Sequence, residues 1–454
     1  MSRRLRCALV GYGVVLAVLG TAVWVTAFPN AHVWLQTSRQ NAIAGSISVL
    51  DHGGPPLVVK NGSGYAPAGG GDDEGIYLVL PELGHLTGEK NPVTLFKVLS
   101  GAAMGLLVAL APLVAYILLD SLLLAVLAPI WLLANYVVFA RRDIYFVNAW
   151  IILLGLPVAY LALERPWSRR LALSLLGLAA LAASCSNAVR AHAGTGVAVS
   201  LAVVAVMRER SWRWRIAGVA VVAACYAAVS PLLLSQIRDH SFAEAHIPPG
   251  AAPTAHPLWH PAYLGLGYLP NGWGIRWKDS VALVAAQRVD PNVRYFSPEY
   301  EHILRHQYVN IVEHHPGWAV KLYAAKAAAL IWTGIKNGGV IVLLLPLALV
   351  LGRRPTLRVE LLLLIPALVF AAIPPLLTVP QFYDSGFTAC LDLAGALALG
   401  ALLHARLRES PSRLRRRAFA AAAACVACVA AAGVTTQLLA AQVSKQISTA
   451  PSRR

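Results

Sequence analysis

Three carboxylates stand side by side at Asp72, Asp73 and Glu74, in the stretch GDDEGIYLVLP (residues 71–81). Only 13% of the chain is charged, so such a cluster needs a reason. A carboxylate acts as a general base when it lies within hydrogen-bond reach of the proton it takes. Two adjacent acids also shift one another's proton affinity. The same residues suit a solvated turn that caps a short helix, with Asp at the N-cap and acids in the first turn. The cluster follows the Gly/Pro-rich run NGSGYAPAGGG (residues 61–71), which reads as a flexible segment able to act as a lid. It precedes the apolar IYLVLPELG, which should dock on a core and hold Tyr77 nearby. Asp51, in SVLDHGG, is a second candidate base in the same region.

Cations that could meet a phosphate lie elsewhere. Arg190 and His192 stand in SNAVRAHAGTG, Arg276 and Lys278 flank Trp277 in GIRWKDS, and Arg305 lies in a polar helix-like stretch. Each also suits a plainer role as a headgroup contact or interfacial anchor. Lys336, in WTGIKNGGV, interrupts an apolar run. A charge at membrane depth is costly and often functional, but a helix starting near Asn337 would leave this lysine reaching to the surface. His256 and His260 are four apart in HPLWHP. Pro257 and Pro261 oppose the helix that would align them, and no HExxH pattern occurs, so they read as hydrogen-bonding pocket residues rather than zinc ligands. Tyr383 and Asp384 in VPQFYDSGF line the same cavity or anchor the chain at the interface. Asp392, inside an apolar run, should have a structural partner.

The elements that must position these groups are membrane helices. The 454 residues are 57% hydrophobic with a mean hydropathy of +0.61, and the charged share is about half the ~25% of a soluble domain. Eleven apolar runs approach the length of a bilayer crossing: 7–28, 94–119, 122–140, 145–163, 171–187, 193–207, 216–235, 327–351, 359–379, 387–404 and 418–441. The expected fold is all-α and polytopic, a single integral membrane domain over 1–454. The first run reads as an uncleaved helix, because VWVTAF makes a poor cleavage site. With the N-terminus cytoplasmic, the five connections MSRRLR, LERPWSRR, MRERSWRWR, GRRPTLRVE and HARLRESPSRLRRR hold 19 Arg against 4 acids. This is the positive-inside pattern. The net charge of +17 thus reports orientation and not a nucleic-acid partner. Arg141–Asp143, as RRD, is an outer-side exception.

Two long outer loops result, 29–93 with the acidic motif and 236–322 as a roof over a site at the membrane surface. Twelve of the thirteen His fall on that side, and 236–322 balances seven Lys/Arg with seven Asp/Glu. Within it, SPEYEHILRHQYVNIVEHHP predicts an amphipathic helix capped at Ser297, with Pro298 first and Ile303, Leu304, Tyr308 and Ile311 on one face, lying on the membrane or the bundle. Residues 277–289 predict another helix. HPLWHPAYLGLGYLPNGWG holds too much Pro and Gly for regular structure. The six cysteines sit in or beside apolar runs and read as small buried hydrophobes.

An acidic pair followed by Gly and Tyr, DDEGIY, in an outer loop after the first helix resembles the GT-C superfamily of membrane glycosyltransferases. It is similar to the Asp-Asp pair of mycobacterial arabinofuranosyltransferases, and the layout resembles protein mannosyltransferases and lipid A aminoarabinose transferases. One departure is the length of chain between the first helix and the acids, which keeps Asp51 in play. The resemblance implies a GT-C-like fold at the outer face of a bacterial inner membrane and a sugar donor on a polyprenyl phosphate. Its acceptor is a hydroxyl of a glycan, lipid or protein. Asp72 or Asp73 would deprotonate the acceptor, which attacks the anomeric carbon with inversion. Glu74, Tyr77 and the cations above would bind substrate. No cofactor is required, although some members place Mg2+ or Mn2+ beside the acidic pair. The rivals are a transporter or lipid flippase, for which no internal repeat is evident, and a membrane scaffold without chemistry.

Overall fold

The computed structural model describes residues 2–69, 73–140, 143–248, 258–337, 339–352 and 354–403. Among them, seven helices are long and apolar enough to cross a membrane: Arg3–Ala27, Pro92–Leu119, Asp143–Glu164, Arg169–Val189, Trp212–Glu244, Leu357–Leu377 and Ser385–Leu403. An eighth arises if Pro316–Lys336 and Ile341–Leu351 form one bent span. Leu122–Asn135 and Thr195–Arg208 are shorter apolar helices. The expected run 418–441 lies outside the described residues. The chain is a helical, multi-pass membrane protein.

In order, α1 (Arg3–Ala22) continues through a π-helical turn to Ala27, and α2 (Thr37–Asp51) leads into a hairpin of β1 (Val58–Asn61) and β2 (Gly64–Pro67). Then come α3 (Glu74–Thr87), α4 (Pro92–Leu119), α5 (Leu122–Ala140), α6 (Phe146–Glu164), α7 (Arg169–Val189) and α8 (Thr195–Arg208). α9 (Trp212–Ala227) passes through a π-helical stretch containing Pro231 into α10 (Ser235–Glu244). The second long loop contributes α11 (Trp259–Gly265), α12 (Asp279–Gln287) and α13 (Pro298–His314). α14 (Pro316–Lys336), α15 (Leu345–Leu351), α16 (Leu357–Leu377), α17 (Pro380–Tyr383) and α18 (Ser385–Leu403) follow. The helix ends obey local chemistry. Asn91 Oδ1 accepts from the amides of Val93 and Thr94 at 2.9 and 3.4 Å, Pro92 starts α4, and Asp120 ends it in the left-handed region at φ 48°.

One end of the bundle carries the long loops. At the opposite end, arginines satisfy helix C-terminal carbonyls that have no partner within their own helix. Arg165 donates to Ile117 O, Arg354 to Leu118 O, and Arg208 to the carbonyls of Ala162, Arg165 and Trp167. Arg354 also pairs with Glu360 and Glu164. The bundle core includes Phe96, Phe146, Leu156 and Tyr160. The second loop builds its own core from Tyr263, Leu266, Tyr300, Leu304 and Leu322.

Several expectations change. NGSGYAPAGGG is ordered as a β-hairpin as far as Pro67: Asn61 pairs with Gly64 across a two-residue turn, and Gly62 takes φ 60°. HPLWHPAYLG does form a helix from Trp259. Pro261 sits in its first turn, where amides have no helical partner anyway, and Glu301 accepts from the amides of Trp259 and His260 at 2.9 and 3.1 Å. α13 is capped as expected, with Ser297 accepting from Tyr300 N at 3.2 Å. Its face buries Tyr300, Leu304 and Ile311 in the second core rather than in lipid. The run 327–351 is not one straight helix. α14 and the leg after it differ in direction by 96°. Lys326 Nζ donates to the carbonyls of Leu376 and Leu377 at 2.9 and 3.2 Å, and Asn337 Nδ2 donates to Asp384 at 3.0 Å. α14 therefore lies level with the loop-side ends of α16 and α18.

Candidate functional site

Loop-side elements bring four distant stretches to one point. Asp73 is the residue before α3, 4% exposed. Arg39, in the first turns of α2, is almost fully buried and donates through Nε to Asp73 Oδ2 at 2.9 Å and through Nη2 to the same oxygen. Its Nη1 donates to Asp143 Oδ2 at 2.6 Å and to Gln36 Oε1 at 3.0 Å. Asp143 is wholly buried just before α6; it has φ 51°, and Oδ1 accepts from Ile144 N at 2.8 Å. Two carboxylates share one guanidinium, so the group carries net negative charge when both are ionised. Both Arg39 bonds fall on Asp73 Oδ2, and among the described residues Oδ1 accepts no hydrogen bond.

Burial raises the Asp73 carboxyl above its ordinary value, while Arg39 pulls the other way. Burial alone would lower Arg39; Asp143 and Asp73 outweigh it and hold the guanidinium above its usual value. Tyr77, one turn along α3, is buried beside this group, and burial with the Asp73 charge pushes its phenol up. Gly75 sets the approach of α3 to the bundle. A Cβ there would stand 2.7 Å from the Ala188 carbonyl at the end of α7. That contact seats the start of α3 on the end of α7, which Arg190 closes.

Arg190 lies over the Tyr145 ring at 5.2 Å, and Tyr145 meets Tyr383 edge-on with centroids 4.6 Å apart. Burial lowers Arg190 to about 10, with Tyr383 opposing and Arg39 adding to the fall; it stays charged at neutral pH. A narrow cleft of about 30 Å³ opens here, lined by Asn148, Arg190, His192, Gly196, Pro374 and Tyr383 among others. Trp277 of the second loop touches Tyr383 edge-on at 6.4 Å, so its neighbours Arg276 and Lys278, both exposed, stand near the rim. Asp384 is buried next to Tyr383 and holds Asn337.

Other expected residues go elsewhere. Glu74 pairs with Arg238 of α10 at 3.3 Å; burial raises its carboxyl and Arg238 opposes. His260 is buried in the second core, with Nδ1 2.6 Å from the Tyr300 hydroxyl and Nε2 3.4 Å from Asp279, so it orders the second loop rather than joining the acids. Arg305 is exposed over the Trp259 ring at 5.6 Å. Lys336 is the exposed last residue of α14, at the bend. Asp51 makes surface pairs with Lys90 and His85, and the Lys90 hydrogen bond holds its carboxyl low, which suits a strut better than a base. Asp392 has no hydrogen-bond partner among the described residues, contrary to the expected pairing. Asp72 and His256 lie outside the described residues.

Asp73 Oδ2 holds the Arg39 guanidinium, and Asp72, the other residue expected beside Mg2+ or Mn2+, lies outside the described residues. Among the described residues, no three His, Cys, Asp or Glu converge on one point. The arrangement offers a buried carboxylate with one oxygen that accepts no hydrogen bond among the described residues, a cleft lined by Arg190, and an aromatic rim. Arg39, Asp143 and Arg238 were not singled out as site residues from sequence. A lone arginine in an acid-bearing loop, and an acid immediately before an apolar run, are the signals that point to the first two. No protein-family model, curated protein or solved structure matches this chain.

Proposed function

We propose that this protein is a membrane glycosyltransferase of the GT-C kind, moving a sugar from a polyprenyl-phosphate donor to an acceptor hydroxyl. The observation that carries the reading is Asp73: a buried carboxylate with its Oδ2 fixed by Arg39 and its Oδ1 without a hydrogen bond among the described residues, on a turn packed against the end of α7, whose closing residue Arg190 lines a cleft with His192. Asp73 Oδ1 takes the acceptor proton as the acceptor oxygen bonds to the anomeric carbon from the face opposite the phosphate. The anomeric carbon–phosphate oxygen bond breaks, the configuration inverts, and the lipid phosphate leaves with the electron pair. Arg190, with His192 beside it, receives the developing phosphate charge. Asp143 keeps Arg39 oriented and balances it. The second loop reaches the cleft through Trp277 against Tyr383.

The same reading places the loop side outside the cytoplasm and the N-terminus inside, in a bacterial inner membrane, with eleven spans once 418–441 is counted. The acceptor is a glycan, a lipid or a protein, and membrane lipids surround the bundle. The test is transfer by the purified protein in nanodiscs, given a panel of polyprenyl-phosphate sugars and crude envelope acceptors. Transfer lost in Asp73→Asn with fold intact supports the reading. Transfer retained in both Asp72→Asn and Asp73→Asn rejects the base assignment.

A further inference from the structure

A second cavity lies within the membrane-spanning part of the bundle, away from the acidic loop. It is a half-open groove of about 430 Å³ between α4, α5, α6 and α18, and its walls are almost wholly apolar, with Leu107, Leu124, Trp131, Leu153 and Leu397 among them. That volume is in the range of sites for small ligands. One wall residue breaks the pattern. Asp392 of α18 is 6% exposed, and both its carboxylate oxygens are buried with no hydrogen-bond partner among the described residues. A buried carboxylate without a partner is costly in an apolar medium, and ionisable groups retained at membrane depth commonly serve a ligand or ion path.

We infer that this cavity binds an amphiphilic amine, its alkyl chain along the apolar walls and its ammonium on Asp392. The two features select the occupant together. An apolar wall alone would take any chain, and a carboxylate alone would take any cation. A chain carrying one positive donor satisfies both, and the charge is complementary to Asp392, the only acid among the described residues lining the groove. The inference is independent of glycosyl transfer, since neither Asp73 nor Arg190 takes part.

The probe is a long-chain primary amine carrying a photoreactive diazirine, with the alcohol of the same chain as control. Both are applied to the full chain in zwitterionic nanodiscs, and labelled peptides are mapped by mass spectrometry. A charge-assisted hydrogen bond corresponds to roughly tenfold or more in affinity. The amine should therefore label residues 107–134 and 392–399 about tenfold more than the alcohol at low probe concentration. Asp392→Asn should bring the amine down to the alcohol's level, and Asp392→Glu should keep most of the difference. Size-exclusion and circular dichroism of the variants establish that they fold. Equal labelling by amine and alcohol, amine labelling unchanged in Asp392→Asn, or no labelling of these segments each overturns the proposal.

Discussion

Arg39 Nε stands 2.9 Å from Asp73 Oδ2, joining residues 34 apart in sequence and binding α2 to the start of α3. The same guanidinium reaches Asp143 at 2.6 Å, just before α6. One side chain thus fixes the acidic turn to the bundle and decides which Asp73 oxygen accepts no hydrogen bond among the described residues.

Asp73→Asn removes the proton acceptor and keeps the shape. On the proposed mechanism, transfer should fall by about 100-fold or more, the range for losing a general base. Arg39 keeps Asp143, so the fold should survive. Initial rates and thermal unfolding of the purified variant measure both.

Arg39→Met should move the acidic limb of the pH–rate profile to higher pH. Arg39 lowers Asp73 against the raising effect of burial, so its removal leaves the raising effect unopposed. The stability sign follows. A carboxyl raised in the folded state contributes stability below the ordinary value of 3.8, and this is lost as pH rises through the folded value. In Arg39→Met that loss should extend to higher pH. Two buried acids also lose their counter-charge, at a cost of about 3 kcal/mol. Rates and unfolding across pH, with Arg39→Lys as the charge-keeping control, decide it.

Gly75→Ala places a methyl 2.7 Å from the Ala188 carbonyl, so α3 must shift off α7. A loss of about 1–3 kcal/mol is expected, as for an overpacked contact, with activity falling as the acidic turn moves off α7. Gly272→Ala, where a Cβ meets nothing within 4 Å, is the control and should stay within about 0.5 kcal/mol. Unfolding of the two variants side by side gives the comparison.

Glu301→Ala removes the acceptor for the amides of Trp259 and His260. Loss of a helix cap costs about 1 kcal/mol. Amide hydrogen exchange should speed up in α11 and the turn after it while the α4 amides stay unchanged. Uniform acceleration through the whole chain would instead mean that the roof and the bundle unfold together.

The sequence made the membrane helices and the acidic turn readable because both are local. Apolar runs need only neighbours, and Asp73 and Glu74 lie at the start of a helix that their own residue types favour. Ser297 and Pro298 announced α13 for the same reason. Arg39 and Asp143 were not readable as a pair, because only packing brings together groups 104 residues apart. His260 misled through composition: a histidine in a polar loop reads as a pocket residue, yet a second core encloses it. The hairpin was legible in Asn61-Gly62, but the glycines after it suggested flexibility instead.

The arginines at the end opposite the loops bear two duties at once. As charges they belong to the Arg-rich connections that, in the proposed orientation, hold this side in the cytoplasm. As donors, Arg165, Arg208 and Arg354 close the ends of α4 and α6. Orientation and folding are therefore written in the same residues. Neutralising those positions to invert the protein in its membrane would also fray the helices being inverted, so a flipped molecule would arrive misassembled rather than merely upside down.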